Sequence, residues 1–154
     1  METLLIAVGN TLRRDDGVGH RVLELLGEVR ADARAVHQPA PELSEEIARY
    51  DRVIFIDSDA GGSDVSVMES AGGDFRPMGP SLEPLVHRHG HCSPLGHQVA
   101  AAEIVGLART LYGFDGEALL CRVPARDFST GEGLSPRAEA NALEAASLIR
   151  ATLA

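Results

Sequence analysis

The sequence predicts an α/β protein whose sheet is mostly parallel and carries helices on both faces. Two apolar runs, 4–8 and 53–56, are continuous rather than alternating, which is typical of strands buried on both sides. Between these runs, apolar residues recur at helical spacing. Strands so far apart in the sequence cannot be joined by hairpins, so the alternation of strand and helix favours parallel pairing through crossover connections.

The elements of the first half follow in order. The strand at 4–8 precedes a helix, and a short strand near 35–37 leads through a second helix to the strand at 53–56. The apolar stripes of the two helices consist of Val18, Val22, Leu25 and Leu26, and of Leu43, Ile47 and Tyr50. In open α/β sheets, ligands bind at the carboxyl ends of the strands. The segments 10–16 and 57–59 both follow such ends, so we expect the functional site there.

The second half begins with an irregular stretch. Residues 58–96 are rich in Gly and Pro and are predicted to form a long functional loop with one edge strand at 65–68. A helix from about 97 to 111 and a strand at about 118–123 follow. The last helix is predicted to have Ser135 as its N-cap and Pro136 as its first residue.

Length and composition indicate one ordinary globular domain, 1–154. At 154 residues, folding buries roughly 70% of the unfolded surface, which provides a real core. No apolar run approaches the ~18 residues that a membrane span requires. The apolar opening, 4–8, is too short for a signal-peptide core and lacks a basic flank. We therefore expect a cytoplasmic protein that does not bind membranes.

The formal net charge of −9 narrows the class of ligand. Binding to nucleic acid depends on Lys and Arg neutralising phosphates, so we expect no nucleic-acid partner. A cation, a basic peptide or a neutral partner fits better. The two cysteines, Cys92 and Cys121, form no CxxC pair, and we expect both to be buried small apolar residues.

The first candidate site is the segment 9–19, Gly-Asn-Thr-Leu-Arg-Arg-Asp-Asp-Gly-Val-Gly, which directly follows the first strand. It lacks the GxGxxG spacing, and two carboxylates would face a pyrophosphate, which argues against a dinucleotide site. Asp15 and Asp16 could cap the next helix, but capping needs one acid. For Asp15, both helix capping and a role in the functional site stay open. We assign function to Asp16, because Gly17 and Gly19 allow a close approach of the backbone.

Two further segments supply candidate ligands. Asp57 continues the apolar run at 53–56 without a break, so its carboxylate is drawn inward and requires a cation, whereas Asp59 is expected to cap the following turn. Segment 87–97 contains four histidines and a cysteine. His97 alone among them stands where a helix begins, so its direction is the most constrained.

Two carboxylates and one imidazole from three segments suit a borderline divalent metal with open positions for a substrate. The donor set Asp16, Asp57 and His97 indicates zinc or nickel without choosing between them, and favours a metal-dependent hydrolase. A small-molecule enzyme using magnesium is a rival, but magnesium prefers oxygen ligands and His97 argues against it. A non-catalytic module that binds a metallated partner uses the same residues and stays open.

Four motifs together resemble the nickel-iron hydrogenase maturation proteases. They are Ala-Val-Gly-Asn through Asp-Asp-Gly-Val-Gly at 7–19, Ile56-Asp57, His97-Gln98, and Gly-Glu-Gly-Leu-Ser-Pro at 131–136. Their order and spacing match the family over essentially the whole chain. The resemblance implies a three-layer α/β/α sandwich with a twisted, mainly parallel sheet. It also implies that Asp16, Asp57 and His97 are both the metal-contacting and the catalytic residues.

The function that the resemblance implies is endopeptidase cleavage of the C-terminal extension from a hydrogenase large-subunit precursor after nickel insertion. The nickel is supplied by the precursor, so the site is expected to be empty in the isolated protein, which is expected to be monomeric. Extra histidines upstream of His97, including His91, leave the choice of imidazole partly open, although His97 aligns with the family position. Two mechanisms stay open: the metal activates the attacking water, or one of the carboxylates acts as general base.

Overall fold

The structure is a computed structural model that describes residues 1–59, 79–85 and 97–154, with the backbone alone at 97–99. Its strands are β1 (Thr3–Val8), β2 (Asp32–Val36), β3 (Arg52–Asp59), β4 (Ser81–Pro84) and β5 (Glu117–Pro124). Its helices are α1 (Val18–Leu26), α2 (Leu43–Ile47), α3 (His97–Tyr112) and α4 (Pro136–Leu153), and a 3₁₀ turn, Arg14–Gly17, precedes α1. None of the helices within these ranges has the length and apolar character needed to cross a membrane.

The five strands form one sheet in the order β2-β1-β3-β5-β4. The strands β2, β1, β3 and β5 run parallel, and β4 pairs antiparallel with β5 at the edge. The strands β1 and β3 are central and fully buried from Thr3 to Val8 and from Val53 to Asp59, as expected for parallel strands covered on both faces. The predicted mostly parallel α/β fold is confirmed.

Each face of the sheet is covered by a pair of helices. Alternate residues of β1, β3 and β5, such as Ile54 and Ile56, pack against α1 and α4. Those in between, such as Val53 and Phe55, pack against α2 and α3. Because side chains alternate along a strand, the continuous apolar runs supply both cores at once. The result is the three-layer α/β/α arrangement that the family resemblance implied.

The start of the last helix also agrees with its prediction. Ser135 is the N-cap residue with extended backbone, φ −60° and ψ 154°, and Pro136 follows at the first helical position. The Ser135 hydroxyl accepts a hydrogen bond from Ala138 N at 3.2 Å. This bond satisfies one backbone donor that the first turn of a helix leaves without an intrahelical acceptor.

Three boundaries differ from the sequence-based predictions. The edge strand β2 begins at Asp32, three residues earlier than expected, because its residues are mostly exposed and carry no apolar run. Helix α2 ends at Ile47, so Tyr50 lies beyond it. The region predicted to be irregular contains β4, at 81–84, while β3 extends to Asp59. The edge strand predicted at 65–68 lies outside the described residues.

The missed strand β4 contains Pro84 and directly follows Pro80. Proline cannot donate to a sheet ladder, so it argues against a central strand but is tolerated at an edge. Among the strands of the described residues, β4 is at the edge and pairs with β5, which meets that condition.

Candidate functional site

The candidate residues meet at the carboxyl edge of the sheet. The parallel strands β1 and β3 are paired with Ala7 opposite Ile56, so Val8 and Asp57 reach the same level. After Val8 the chain enters the loop that leads through the 3₁₀ turn into α1. This loop carries Asp16 back over the end of β1, beside β3.

Asp16 is buried, with 6% of its surface exposed, and both of its carboxylate oxygens accept hydrogen bonds. The amide of Asn10 donates to Oδ2 at 2.8 Å, and the hydroxyl of Ser58 donates to Oδ1 at 3.0 Å. A carboxylate offers about four acceptor positions, so these two bonds fix its plane and leave acceptor capacity for a ligand. Asp16 therefore does not act as the N-cap of α1, which has no side-chain cap.

Asp57 is equally buried, with 5% exposed. The amide of Ser58 donates to its Oδ1 at 2.8 Å. In the alternation of β3, Asp57 follows Val53 and Phe55 and so lies on the face covered by α2 and α3. The inward position predicted from the unbroken apolar run is confirmed.

Ser58 joins the two acids. Its side chain points to the face covered by α1 and bonds Asp16, whereas its backbone amide bonds Asp57. Asp16 and Asp57 thus approach the edge of the sheet from opposite layers and share one contact residue. The sequence analysis did not single out Ser58. The signal that could have found it is its position, directly after Asp57 in a strand whose side chains alternate.

The third predicted residue, His97, is the first residue of α3, as the sequence analysis expected. Helix α3 ends near the start of β3, because the segment after it returns to Asp51, whose carbonyl accepts from Glu117 N at 2.9 Å. The 16 residues of α3 span about 24 Å, and the eight of β3 about 26 Å. The first turn of α3 therefore lies near the carboxyl edge, on the same face as Asp57. The side chain of His97 is outside the described part.

The neighbouring acid, Asp15, has a different role. It has no exposed surface and accepts four hydrogen bonds from the other end of the chain. The donors are Arg126 N at 3.0 Å, Asp127 N at 3.0 Å, Ser135 N at 2.7 Å and Ser135 Oγ at 2.8 Å. Asp15 therefore does not cap α1, so the capping alternative of the sequence analysis is wrong. Instead, its carboxylate accepts from Ser135, the N-cap residue of α4.

These contacts also affect the protonation of Asp15. Burial alone would raise the pKa of its carboxyl group, but the hydrogen bonds from Asp127, Ser135 and Arg126 outweigh burial and lower the pKa below its usual 3.8. Hydrogen bonds that are donated to the charged form stabilise that form. Asp15 is therefore a carboxylate throughout the neutral range.

The two most specific sequence motifs are held together by this network. Arg14 N donates to Gly131 O at 3.0 Å, and Gly131 N donates to Leu12 O at 2.8 Å, so the opening loop pairs directly with the Gly-Glu-Gly-Leu-Ser-Pro segment. We call this set of contacts, together with those of Asp15, the loop brace. It places the two motifs in direct contact, although neither their spacing nor their residue types indicate one.

Two glycines of the opening motif are required by close packing. A Cβ on Gly9 would lie 1.9 Å from the carbonyl oxygen of Asp16, and its φ is +147°. A Cβ on Gly19 would lie 2.8 Å from the carbonyl oxygen of Ile56. The close approach predicted for this segment is therefore made to the protein's own backbone, and it brings the first turn of α1 against β3.

A guanidinium group lies among the acids of the edge. Arg122 on β5 is in register with Asp57, its Nε lies 3.0 Å from Glu83 Oε1, and its Nη1 lies 3.9 Å from Asp59 Oδ2. Asp59 is the last residue of β3. The turn that Asp59 was predicted to cap begins at residue 60, outside the described residues.

The two candidate ligands whose side chains are described, Asp16 and Asp57, suit a divalent metal. Asp16 and Asp57 offer carboxylates from two layers at one edge, and an imidazole would complete a set typical of zinc or nickel. Among the side chains that the structure describes, no three His, Cys, Asp or Glu are grouped to hold a metal ion. The side chain of His97 lies outside that part of the chain, so the three-residue site stays a prediction.

Some of the remaining candidate residues from the sequence are described by the structure, and others are not. Cys121 is a buried free thiol, as expected, and burial raises its pKa to about 12. Cys92 and the histidines at 87, 89 and 91 lie outside the described residues. His20 was not considered in the sequence analysis. Its Nε2 lies 3.0 Å from the carbonyl oxygen of Gly9, next to the opening loop.

Comparison with known proteins identifies the fold. No protein-family profile matches the sequence, and no curated protein sequence matches it. Solved structures do match over the whole length. The hydrogenase maturating endopeptidase HybD from E. coli has a TM-score of 0.74 at 21% identity, covering 99% of this chain and 92% of that one.

Two structures from Thermococcus kodakarensis have the same fold. The [NiFe] hydrogenase maturation protease HybD from Thermococcus kodakarensis has a TM-score of 0.76 at 19% identity and covers 100% of both chains. The maturation protease HycI from the same organism has a TM-score of 0.63 at 20% identity, covering 99% of this chain and 92% of that one. The chain therefore has the fold of the hydrogenase maturation endopeptidases, to which its sequence motifs had pointed.

Proposed function

We propose that this protein is an endopeptidase that removes the C-terminal extension of a nickel-iron hydrogenase large-subunit precursor after nickel insertion. The observation that supports the proposal is the pair of buried carboxylates, Asp16 and Asp57, joined by Ser58 at the carboxyl edge of the sheet. Ligands of open α/β folds bind at this edge. The pair occurs in a fold whose solved examples include hydrogenase maturation endopeptidases.

In this proposal nickel is part of the substrate, and the site recognises it. Asp16, Asp57 and His97 are the residues that would contact the nickel of the precursor. The net charge of −9 favours the approach of a cation. Buried carboxylates that are already fixed by hydrogen bonds need little reorganisation to accept it.

The chemistry is hydrolysis of one peptide bond near that contact. Divalent nickel supplies Lewis acidity, which polarises a carbonyl or lowers the pKa of water. Either Asp16 or Asp57 is the alternative candidate for a general base. The fixed carboxylates position the precursor so that its scissile bond lies close to them, and correct positioning alone lowers the barrier substantially.

The test is processing of purified precursor by purified protein, followed by mass spectrometry. We expect cleavage of nickel-loaded precursor and no cleavage of nickel-free precursor. Asp16→Asn, Asp57→Asn and His97→Ala are each expected to reduce the rate at least 100-fold. Asp115→Asn and His37→Ala, which change exposed residues, are matched controls and should retain the wild-type rate.

Two results would contradict the proposal. Full processing by all three site variants would remove these residues from the mechanism. Tight binding of nickel-loaded precursor by the wild-type protein without any cleavage would instead favour the non-catalytic binding module.

A further inference from the structure

We infer that Ser58 is a positioning residue of the candidate site, which fixes Asp16 with its hydroxyl group and Asp57 with its backbone amide. The inference rests on the proposed function, because it concerns the same site. It adds a residue that touches neither the metal nor the scissile bond, and that acts through both carboxylates.

The position of Ser58 explains why one residue can hold two acids from different layers. Neighbouring side chains of a strand point to opposite faces, so Ser58 faces α1 while Asp57 faces α3. The hydroxyl bonds Asp16 Oδ1 at 3.0 Å, and the amide bonds Asp57 Oδ1 at 2.8 Å. A backbone donor and a side-chain donor of the same residue thus set the separation of the two carboxylates.

Packing alone does not account for a serine at this position. The residue is 5% exposed, and on its face of β3 it follows Ile54 and Ile56, which belong to the apolar core. Its partner in register on β5, Val123, belongs to the same core. A buried hydroxyl in such surroundings is costly unless it is hydrogen-bonded. The acceptor that compensates for its burial is Asp16.

The hydroxyl group also restricts the orientation of Asp16. The terminal torsion of an aspartate is broad and weakly restrained, so one donor would let the carboxylate plane rotate. Asn10 N on Oδ2 and Ser58 Oγ on Oδ1 hold one oxygen each. With both donors in place, the acceptor positions that remain point in fixed directions. Outer partners of this kind typically change metal affinity or activity by about 10–100-fold when removed.

The geometry provides a selective substitution. Ser58→Ala removes the hydroxyl group and keeps the amide, so Asp16 loses a donor while Asp57 keeps its own. Ser58→Thr restores a hydroxyl on a residue type that strands favour. Ser44→Ala is a matched control, because Ser44 is 4% exposed and its hydroxyl donates to Pro41 O at 2.6 Å, in the segment that leads into α2.

The first measurement uses the isolated protein and does not depend on the proposed function. In ¹H–¹⁵N NMR spectra of Ser58→Ala, the Asn10 amide should shift and exchange its proton faster, because its acceptor is less firmly held. The amide of residue 58 should keep its protection, since the bond to Asp57 remains. An Asn10 amide that is unchanged in Ser58→Ala would overturn the inference.

The second measurement is the processing rate of nickel-loaded precursor. Ser58→Ala is expected to slow processing about 10–100-fold, Ser58→Thr to recover most of the rate, and Ser44→Ala to match wild type. Combining Ser58→Ala with Asp16→Asn should cost no more than Asp16→Asn alone, because the hydroxyl acts through Asp16. A wild-type rate in Ser58→Ala, or no recovery in Ser58→Thr, would contradict the inference. Absence of processing by the wild-type protein would instead contradict the proposed function, and the NMR result would then decide the role of Ser58.

Discussion

Asp15 and Ser135 are 120 residues apart in the sequence and are joined by two hydrogen bonds, of 2.7 Å from the Ser135 amide and 2.8 Å from its hydroxyl. The same hydroxyl accepts from Ala138 N. A continuous line of hydrogen bonds therefore runs from the first turn of α4 to the loop that carries Asp16. The candidate site is therefore stabilised by Ser135, which is far from Asp16 in the sequence but contacts the neighbouring Asp15.

Asp15→Asn should destabilise the protein by about 2–3 kcal/mol, because hydrogen bonds to a charged acceptor are among the stronger ones and an amide group cannot accept at both ends. The buried amides of Arg126, Asp127 and Ser135 would then compete for one oxygen. The measurement is urea denaturation at pH 7. Asp115→Asn, at an exposed position, is the control, and equal unfolding free energies for the two variants would contradict the role of Asp15.

The stability difference between wild type and Asp15→Asn should depend on pH. The pKa of Asp15 in the folded state is lowered, so its contribution to stability is fully present above the unfolded-state pKa of about 3.9 and is lost as the pH falls through the folded-state value. Denaturation curves at pH 7, 4 and 2.5 should show the two proteins converging below about pH 4. A difference that stays constant over this range would show that the charge of Asp15 contributes nothing.

Substitutions of two glycines by alanine should have opposite effects. Gly9→Ala places a methyl group against the Asp16 carbonyl at a positive φ and should cost at least about 2 kcal/mol. Gly106 is at an exposed position of α3, and among the described residues no atom outside the backbone of its own helix lies within 4 Å of the added Cβ. Gly106→Ala should therefore stabilise the protein by up to about 1 kcal/mol. Thermal unfolding measures both. Destabilisation of similar size in both variants would contradict the close packing at Gly9.

The thiol of Cys121 should be inert in the folded protein. With its pKa raised to about 12 by burial, the thiolate fraction at pH 8 is about one in ten thousand. In a Cys92→Ser background, iodoacetamide at pH 8 should leave Cys121 unmodified in buffer and alkylate it in 6 M guanidinium. Mass spectrometry reads both states, and modification in buffer at the rate of the unfolded protein would show that the thiol is accessible.

The fold was predictable because its signals are local and repeated. The layers are determined by the apolar runs at 4–8 and 53–56 and by the helical stripes between them. The start of α4 was predicted to the exact residue, because Ser135 and Pro136 are typical of a helix N-terminus. Edge elements were predicted less well. The strand β2 has no apolar run, and β4 contains Pro84 and follows Pro80. Both therefore form through pairing with a neighbouring strand, β1 or β5, rather than through their own composition.

The candidate site was predictable in part. Asp16 and Asp57 stand where the strands end, which locates them at one edge without any knowledge of contacts. The role of Ser58 depends on which face each residue of β3 presents, and that of Asp15 on a contact across 120 residues. The contact of Asp15 leaves no short-range pattern in the sequence, whereas Ser58 could have been found from its position directly after Asp57. His97 was separated from its neighbouring histidines by family resemblance, and its side chain is outside the described part.

The two sides of the loop brace are synthesised at different times during translation. Translation adds roughly 5–20 residues per second, so about 6–24 s separate the synthesis of Asp15 from that of Ser135, 120 residues later. For most of this interval the nascent chain contains Asp16 and Asp57 but lacks Arg126, Asp127 and Ser135, which hold the opening loop. We therefore expect the opening loop, and with it Asp16, to reach its final conformation only after the start of α4 has been made.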